Sequence, residues 1–352
     1  MGGGPHAGNG RSDMAGGGHA HAGLMCYLGG SWPKEYHGKL IIGNIHGQRL
    51  NVDVPERAGS GYVGKHAPDF VNFNDRWSQT LNQQYDQDGS VYVIDWYDKQ
   101  QCHSGNVAAH DRSNGRIYKI TYGDTQTTKV DLGKMSDNEL VNELRSFNDW
   151  RARHAQRILQ ERAATLKSTS AQQQVRDFLN IGGTFNYLTR TDGQGRPLEK
   201  YYESESAQLR LLWTLHSMGE MKAEDALRIL SHAASTKQDY LRAWIIQLLC
   251  EDKKPGDAAL KEFARLAKED PSPVVRLYLA SACQRLTVAQ RQPIVEALLA
   301  HAEDATDQNL PLMYWFATEP IVAAAPAKGA LLLAKSKIPL LREYITRRMT
   351  AK

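Results

Sequence analysis

Two hydrophobic periods divide the chain. From His19 to about Tyr122, short apolar runs stand between clusters of Gly, Asn, Asp and aromatic residues, the texture of strands and turns. Asp86-Gln-Asp-Gly89 is a turn signal. It feeds Val91, Tyr92, Val93 and Ile94, the run ends on Asp95, and Gly115-Arg-Ile-Tyr-Lys-Ile120 supplies a second strand. Four consecutive β-favouring residues predict a strand covered on both faces, as in stacked or radial sheets. The same arrangement occurs at Gly38-Lys-Leu-Ile-Ile-Gly43 and Gln48-Arg-Leu-Asn-Val52. Two such units predict a partial β-propeller of about two blades, where closed rings have about four to eight. Trp32-Pro33 and Gly59-Ser-Gly-Tyr-Val-Gly64 read as loops or bends.

Beyond about Thr121 the period changes to that of helices. Ser136-Asp-Asn-Glu139 has the form of a capping box ahead of Leu140, Val141 and Leu144,. Apolar residues then recur at i, i+3 and i+4 through Arg153–Gln160, Leu209–Leu215, Leu241–Leu249 and Val274–Ala280,. An acidic residue precedes an arginine in several of these segments: Asp149 before Arg153, Asp239 before Arg242, Asp270 before Arg276. The later steps recur at roughly 33 residues, a little short of the usual period for HEAT-type helical pairs but within the range of solenoid repeats. Each arginine is expected to pair with an acidic residue of its own or the neighbouring repeat. Asn309–Ala317 continues the series, and Thr184–Tyr202 reads as an insert between repeats. The fold class is therefore α+β and multidomain: a Gly-rich loop or disordered segment over 1–18, a partial β-propeller over 19–122, and an α-solenoid of HEAT-like repeats over 135–352.

Composition narrows the partners. Among 352 residues, 43 are basic and 39 acidic, a net charge of +4, too small an excess to argue for nucleic acid. No apolar run approaches the roughly 20 residues that span a bilayer. The start, Met1-Gly-Gly-Gly-Pro, shows neither a basic nor an apolar leader region, which reads as cytoplasmic,. The four cysteines, Cys26, Cys102, Cys250 and Cys283, lack metal-type spacing, and no Cys-x-x-Cys-His offers covalent haem attachment,. Cys250 and Cys283 lie in apolar helical patterns and read as buried thiols. A Cys26–Cys102 disulfide is open.

His19-x-His21 is the sharpest local signal. Alternate residues of a strand share a face at about 7 Å, a geometry suited to two ligands of one metal ion or to a base and its partner. A pair of surface histidines in a Gly-rich loop is the equal alternative. Asp95 ends a strand where propeller ligand sites lie. It reads either as a ligand to a divalent cation or general base, or as a structural aspartate. Asp98 reads more readily as a turn cap, and Cys102-His103 as a source of softer ligands. The metal candidates are thus His19, His21, Asp95, Asp98 and His103, with calcium or a transition metal as the ion. His46 and His66 sit in loop-like contexts. Trp77, Trp96 and Tyr97 can form a sugar platform or pack a blade. Trp213, Trp244 and Trp315 read as inter-repeat core.

The segments His19-Ala-His-Ala-Gly-Leu-Met-Cys-Tyr-Leu, Trp32-Pro-Lys-Glu-Tyr-His-Gly-Lys-Leu, Asn44-Ile-His-Gly-Gln-Arg-Leu-Asn and Asp95-Trp-Tyr-Asp resemble the planctomycete-type "membrane-bound dehydrogenase domain" proteins. The resemblance covers residues 5–122 and 135–350. It implies the last part of a propeller similar to those of glucose/sorbosone dehydrogenases, followed by HEAT-like repeats. It also implies a periplasmic or membrane-associated setting and an electron-accepting cytochrome as partner. Enzymes of that kind that use pyrroloquinoline quinone set arginines against its carboxylates. Here the corresponding positions fall near Gln79 and Leu81, and no arginine site carries over.

Two functions follow. One is a fragment of a dehydrogenase-like protein oxidising a sugar or polyol, with His19, His21 and Asp95 as base or metal ligands. The other is a non-catalytic carbohydrate- or protein-binding module, with a protein partner on the helical-repeat surface.

Overall fold

The computed structural model describes residues 20–100, 105–127, 129–163, 169–179, 205–235 and 238–351. His19, Cys102, His103, residues 1–18 and the insert at 184–202 lie outside them. Two compact units emerge, residues 1–56 with 63–158, and residues 57–62 with 159–352.

In the first unit, β1 (His21–Cys26), β2 (Leu40–Asn44), β3 (Arg49–Ala58) and β4 (Gly61–Asn72) form a four-stranded sheet in sequential order. A second sheet contains β5 (Thr80–Tyr85), β6 (Val91–Asp95) and β7 (Arg116–Ile120). Both sheets are antiparallel. Gly61–Gly64 belongs to β4 rather than to a loop. Pairing with β3 there outweighs the weak strand preference of glycine.

Strands β1 and β5 each break register where they meet, between Ala22 and Leu24 and between Thr80 and Asn82. Gly23 is why they can approach. Its φ is +64°, and a Cβ there would lie 2.8 Å from Asn82 Cα. Buried Gln83 spans the junction, its Nε2 donating to the carbonyls of Gly23 (2.9 Å) and Ile41 (2.7 Å).

The shared core contains Met25, Tyr27, Ile41, Leu50, Val52, Tyr85, Val91 and Val93. Each large apolar side chain buried there contributes about 1.5–3 kcal/mol relative to exposure. Tyr27 is wholly buried and its hydroxyl donates to the Gly89 carbonyl at 2.8 Å, which ties β1 to the Asp86–Gly89 turn. Strand β6 is covered on one face only. Val91 and Val93 are buried, while Ile94 is 49% exposed opposite Ile117, which is 74% exposed. The apolar run thus behaves with period two, because only one face meets the other sheet.

Twelve α-helices follow among the described residues. The first, α1 (Asp137–Glu143), begins with the capping box expected from sequence: the Ser136 side chain accepts from the Glu139 backbone, and the Glu139 side chain accepts from the Ser136 backbone. Next come α2 (Asp149–Ala163), α3 (Thr169–Phe178), α4 (Glu205–Ser217), α5 (Ala223–Ser235), α6 (Asp239–Leu249), α7 (Asp257–Glu269) and α8 (Pro273–Ala282). The last four are α9 (Val288–Leu298), α10 (Leu310–Ala324), α11 (Pro326–Lys335) and α12 (Pro339–Thr350). Alternate helices pack in succession: α4 on α6, α6 on α8, α8 on α10 and α10 on α12, with α7 on α9.

The arginines of this unit reach forward. Arg242 grips Asp270 through Nε (2.7 Å) and Nη2 (3.0 Å), and Arg276 grips Asp304 in the same way at 2.8 and 2.6 Å. Each pair is buried and separated by 28 residues. Arg153, in the first unit, instead pairs with Asp149 one helical turn away, at 2.9 Å. Ring contacts join Trp213 to Trp244 (4.9 Å), Trp244 to Tyr278 (6.2 Å) and Trp315 to Tyr344 (5.4 Å). Cys250 and Cys283 are buried free thiols, and burial pushes them up to about 11 and about 12. No helix among the described residues is long and apolar enough to cross a membrane.

Candidate functional site

Of the residues singled out from sequence, Asp95 and Asp98 fall in one buried hydrogen-bond network at the end of β6. Asp95 accepts from Ser78 Oγ (2.7 Å), the Gln79 backbone (2.6 Å) and the Tyr97 backbone (2.9 Å). Asp98 accepts from the backbones of Gln100 (3.0 Å) and Asp111 (2.9 Å) and from Trp96 Nε1 (3.3 Å), and its Oδ2 lies 3.0 Å from His110 Nδ1. Burial would raise the Asp98 carboxyl. The Asp111 and Gln100 backbones and the His110 ring outweigh it and hold the group well below the usual range. Both carboxylates are therefore surrounded by donors, the setting of a loop-organising anion. Asp98 also fixes the ring of His110, a residue the sequence did not flag.

His21 opens β1 opposite Asn44, at the end where β5 begins and β6 finishes. It shares an end of the sheets with Asp95, and its surface is exposed. Its companion His19 lies outside the described residues, as do Cys102 and His103. Among the described residues, no three His, Cys, Asp or Glu side chains are grouped as a metal would need. His46 is buried, and His66 Nδ1 lies 3.4 Å from Asp53. Trp77 stacks near Tyr97 at 5.7 Å, and Arg116 covers the Tyr97 ring at 4.0 Å, so this aromatic group is partly filled by its own neighbours.

The opposite end of β1 and β5 holds a cavity of about 720 Å³. One wall comes from Met25, Cys26, Asn82, Gln84 and Tyr85, and the other from α2. That helix is anchored locally: Asn148 Oδ1 accepts from the Trp150 backbone (2.9 Å), and the Asp149 backbone donates to the Leu28 carbonyl (2.9 Å). From this start, positions 149, 150, 153, 154 and 157 fall on one helical face. They are Asp149, Trp150, Arg153, His154 and Arg157, and all line the cavity.

The polar groups of that face are ordered. Arg153 Nε donates to Asp149 (2.9 Å) and Nη2 to the Tyr85 hydroxyl (3.2 Å), which in turn donates to Asp149 (3.3 Å). Burial, followed by the Asp149 charge, pushes the Tyr85 phenol well above its usual range, so it stays a neutral donor. His154 stacks on Trp150 with ring centroids 3.9 Å apart and planes at 28°. Its Nδ1 lies 2.7 Å from the Trp150 carbonyl. A carbonyl only accepts, so the proton sits on Nδ1. A flat aromatic surface beside a ring of fixed donors and acceptors is suited to a compact polyhydroxylated ligand. The sequence signal for this wall is the i, i+1, i+4, i+5, i+8 spacing of Asp149, Trp150, Arg153, His154 and Arg157, which the apolar face of the same helix obscures.

A family described as Domain of unknown function (DUF7133) matches residues 5–124, a segment that contains both sheets and the strand wall of the cavity but not α2. No curated protein and no solved structure matches the chain.

Proposed function

We propose that the sheet-bearing unit binds a neutral sugar or polyol in the cavity between β1, β5 and α2. The observation that carries this reading is the stacked Trp150–His154 pair beside the ordered Tyr85–Arg153–Asp149 group in a cavity of about 720 Å³. Flat rings cover the apolar faces of sugars, and convergent polar groups fix their hydroxyls. Isothermal titration calorimetry with glucose, galactose, xylose and sorbitol tests it. At least one binds the wild-type chain, and Trp150→Ala weakens that binding by about thirtyfold, the scale of a buried aromatic anchor. Absence of binding across the panel sinks the reading.

The same reading takes the two sheets as consecutive blades of a partial β-propeller, and the later helices as a HEAT-like solenoid that docks a protein partner. Support for the solenoid comes from alternate-helix packing and from the two Arg–Asp pairs at one constant separation, the neighbour-to-neighbour bonding of repeat proteins.

A second reading is oxidation of a sugar or polyol at the other end of the sheets, beside Asp95 and Asp98, in keeping with the dehydrogenase resemblance and an electron-accepting cytochrome partner. The Asp98–His110 pair favours it, because a buried carboxylate that fixes one imidazole nitrogen is how histidine bases are oriented. Pyrroloquinoline quinone does not fit. Gln79 stands near an expected arginine position, and its amide is committed to the Asp98 carbonyl at 2.8 Å. A calcium or transition-metal ion held by His19, His21 and Asp95 belongs to this second reading. Metal analysis of the His19→Ala/His21→Ala double variant beside the wild type decides it.

A further inference from the structure

We infer that His154 Nε2 is the acceptor for one ligand hydroxyl in this cavity, and so determines which neutral polyhydroxylated ligand fits and in which orientation. The inference rests on the sugar-binding reading and deepens it. Three observations support it. First, Nδ1 is committed as donor to the Trp150 carbonyl at 2.7 Å, so in the neutral imidazole the lone pair lies on Nε2,. Second, with Nδ1 turned to the helix backbone one turn earlier, Nε2 projects from the far side of the ring, away from the helix axis. The ring is held there by its 3.9 Å stack on Trp150, and His154 lines the cavity.

Third, the ordered Tyr85–Arg153–Asp149 group beside it is already engaged within itself. Tyr85 gives its proton to Asp149, and Arg153 is spread between the two. Burial and the Asp149 charge keep the phenol protonated. The Arg153 guanidinium donates only. A ligand hydroxyl that meets His154 is therefore received by a fixed acceptor, and an analogue lacking that hydroxyl leaves the lone pair unmatched.

The test uses the full chain and the tightest-binding sugar of the panel, together with its mono-deoxy analogues. On the wild type, one deoxy analogue binds about tenfold more weakly than its parent, the scale of one well-made hydrogen bond. His154→Phe keeps a ring to stack on Trp150 and removes the acceptor. It should weaken the parent sugar about tenfold and bind parent and deoxy analogue alike. A parent–deoxy difference that persists in His154→Phe, or parent binding unchanged in that variant, overturns the assignment while leaving sugar binding standing.

Nitrogen-15 NMR of the wild-type histidines gives the same answer without a substitution. The His154 Nε2 resonance should move on saturation with the parent sugar while Nδ1 stays protonated. An unmoved Nε2 at saturation overturns the assignment, whereas a panel in which nothing binds overturns the sugar-binding reading itself.

Discussion

The two units satisfy their buried carboxylates by different means. In the sheet unit, Asp95 and Asp98 are met mostly by backbone N–H groups within about a turn or a neighbouring strand: Gln79, Tyr97, Gln100 and Asp111. In the helical unit, Asp270 and Asp304 are met by guanidinium groups supplied 28 residues earlier. A carboxylate bonded to nearby backbone shapes a loop. One gripped by a distant arginine fixes how separate helices stand against each other. The first device needs only local chain geometry, and the second needs the helices to have packed already.

The largest expected effect comes from breaking the long-range device. Arg276→Ala leaves Asp304 buried with the Tyr314 hydroxyl, which donates to it at 2.6 Å, and uncompensated buried charge costs about 3–5 kcal/mol. Urea denaturation should show that loss. The double variant Arg276→Met/Asp304→Leu should recover most of it, since neither charge remains. Asp95→Ala tests the local device. It strands Ser78 Oγ and two backbone donors, and a loss of about 2–3 kcal/mol is expected in the same assay.

Acid sharpens the contrast further. The Asp98 carboxyl is held below its ordinary value of 3.8 in the folded chain. Its stabilising contribution is therefore complete above that value and is lost as the pH falls through the folded one. The stability gap between wild type and Asp98→Asn should be widest near neutrality and should narrow below about pH 4, as followed by thermal melts across pH. A gap that widens in acid would show that Asp98 acts as something other than a carboxylate anion. The smallest effect belongs to the most local device of all. Ser136→Ala removes one side of the capping box at α1 and should cost about 1 kcal/mol, whereas Ser136→Asp should cost almost nothing.

Legibility in the sequence followed the same division. The capping box, the Asp86–Gly89 turn, strands β6 and β7 and the helical segments were readable, because each is dictated by residues within a few positions of one another. The arginines of the helical unit were recognisable as ion-pair formers. Which aspartate each would take was not, because partners 28 residues apart are chosen by helix packing. Ile94 was read as buried by its apolar type, yet only one face of β6 is covered. The cavity was the least readable feature. Its walls come from residues 24–28, 82–85 and 149–157, and nothing in any one of these segments announces the other two.

Local chemistry, then, was written in the order of residues: which stretches twist into helices, which extend, where a serine or an aspartate ends an element. Only the folded chain decided that Gly23 would let β1 press against β5, that Tyr85 would meet Asp149 and Arg153, and that Trp150 and His154 would face the strands across an open space. The physical reason is range. Hydrogen bonding and side-chain period act over a few residues of chain, while burial acts through space and is blind to the distance along the sequence that it spans.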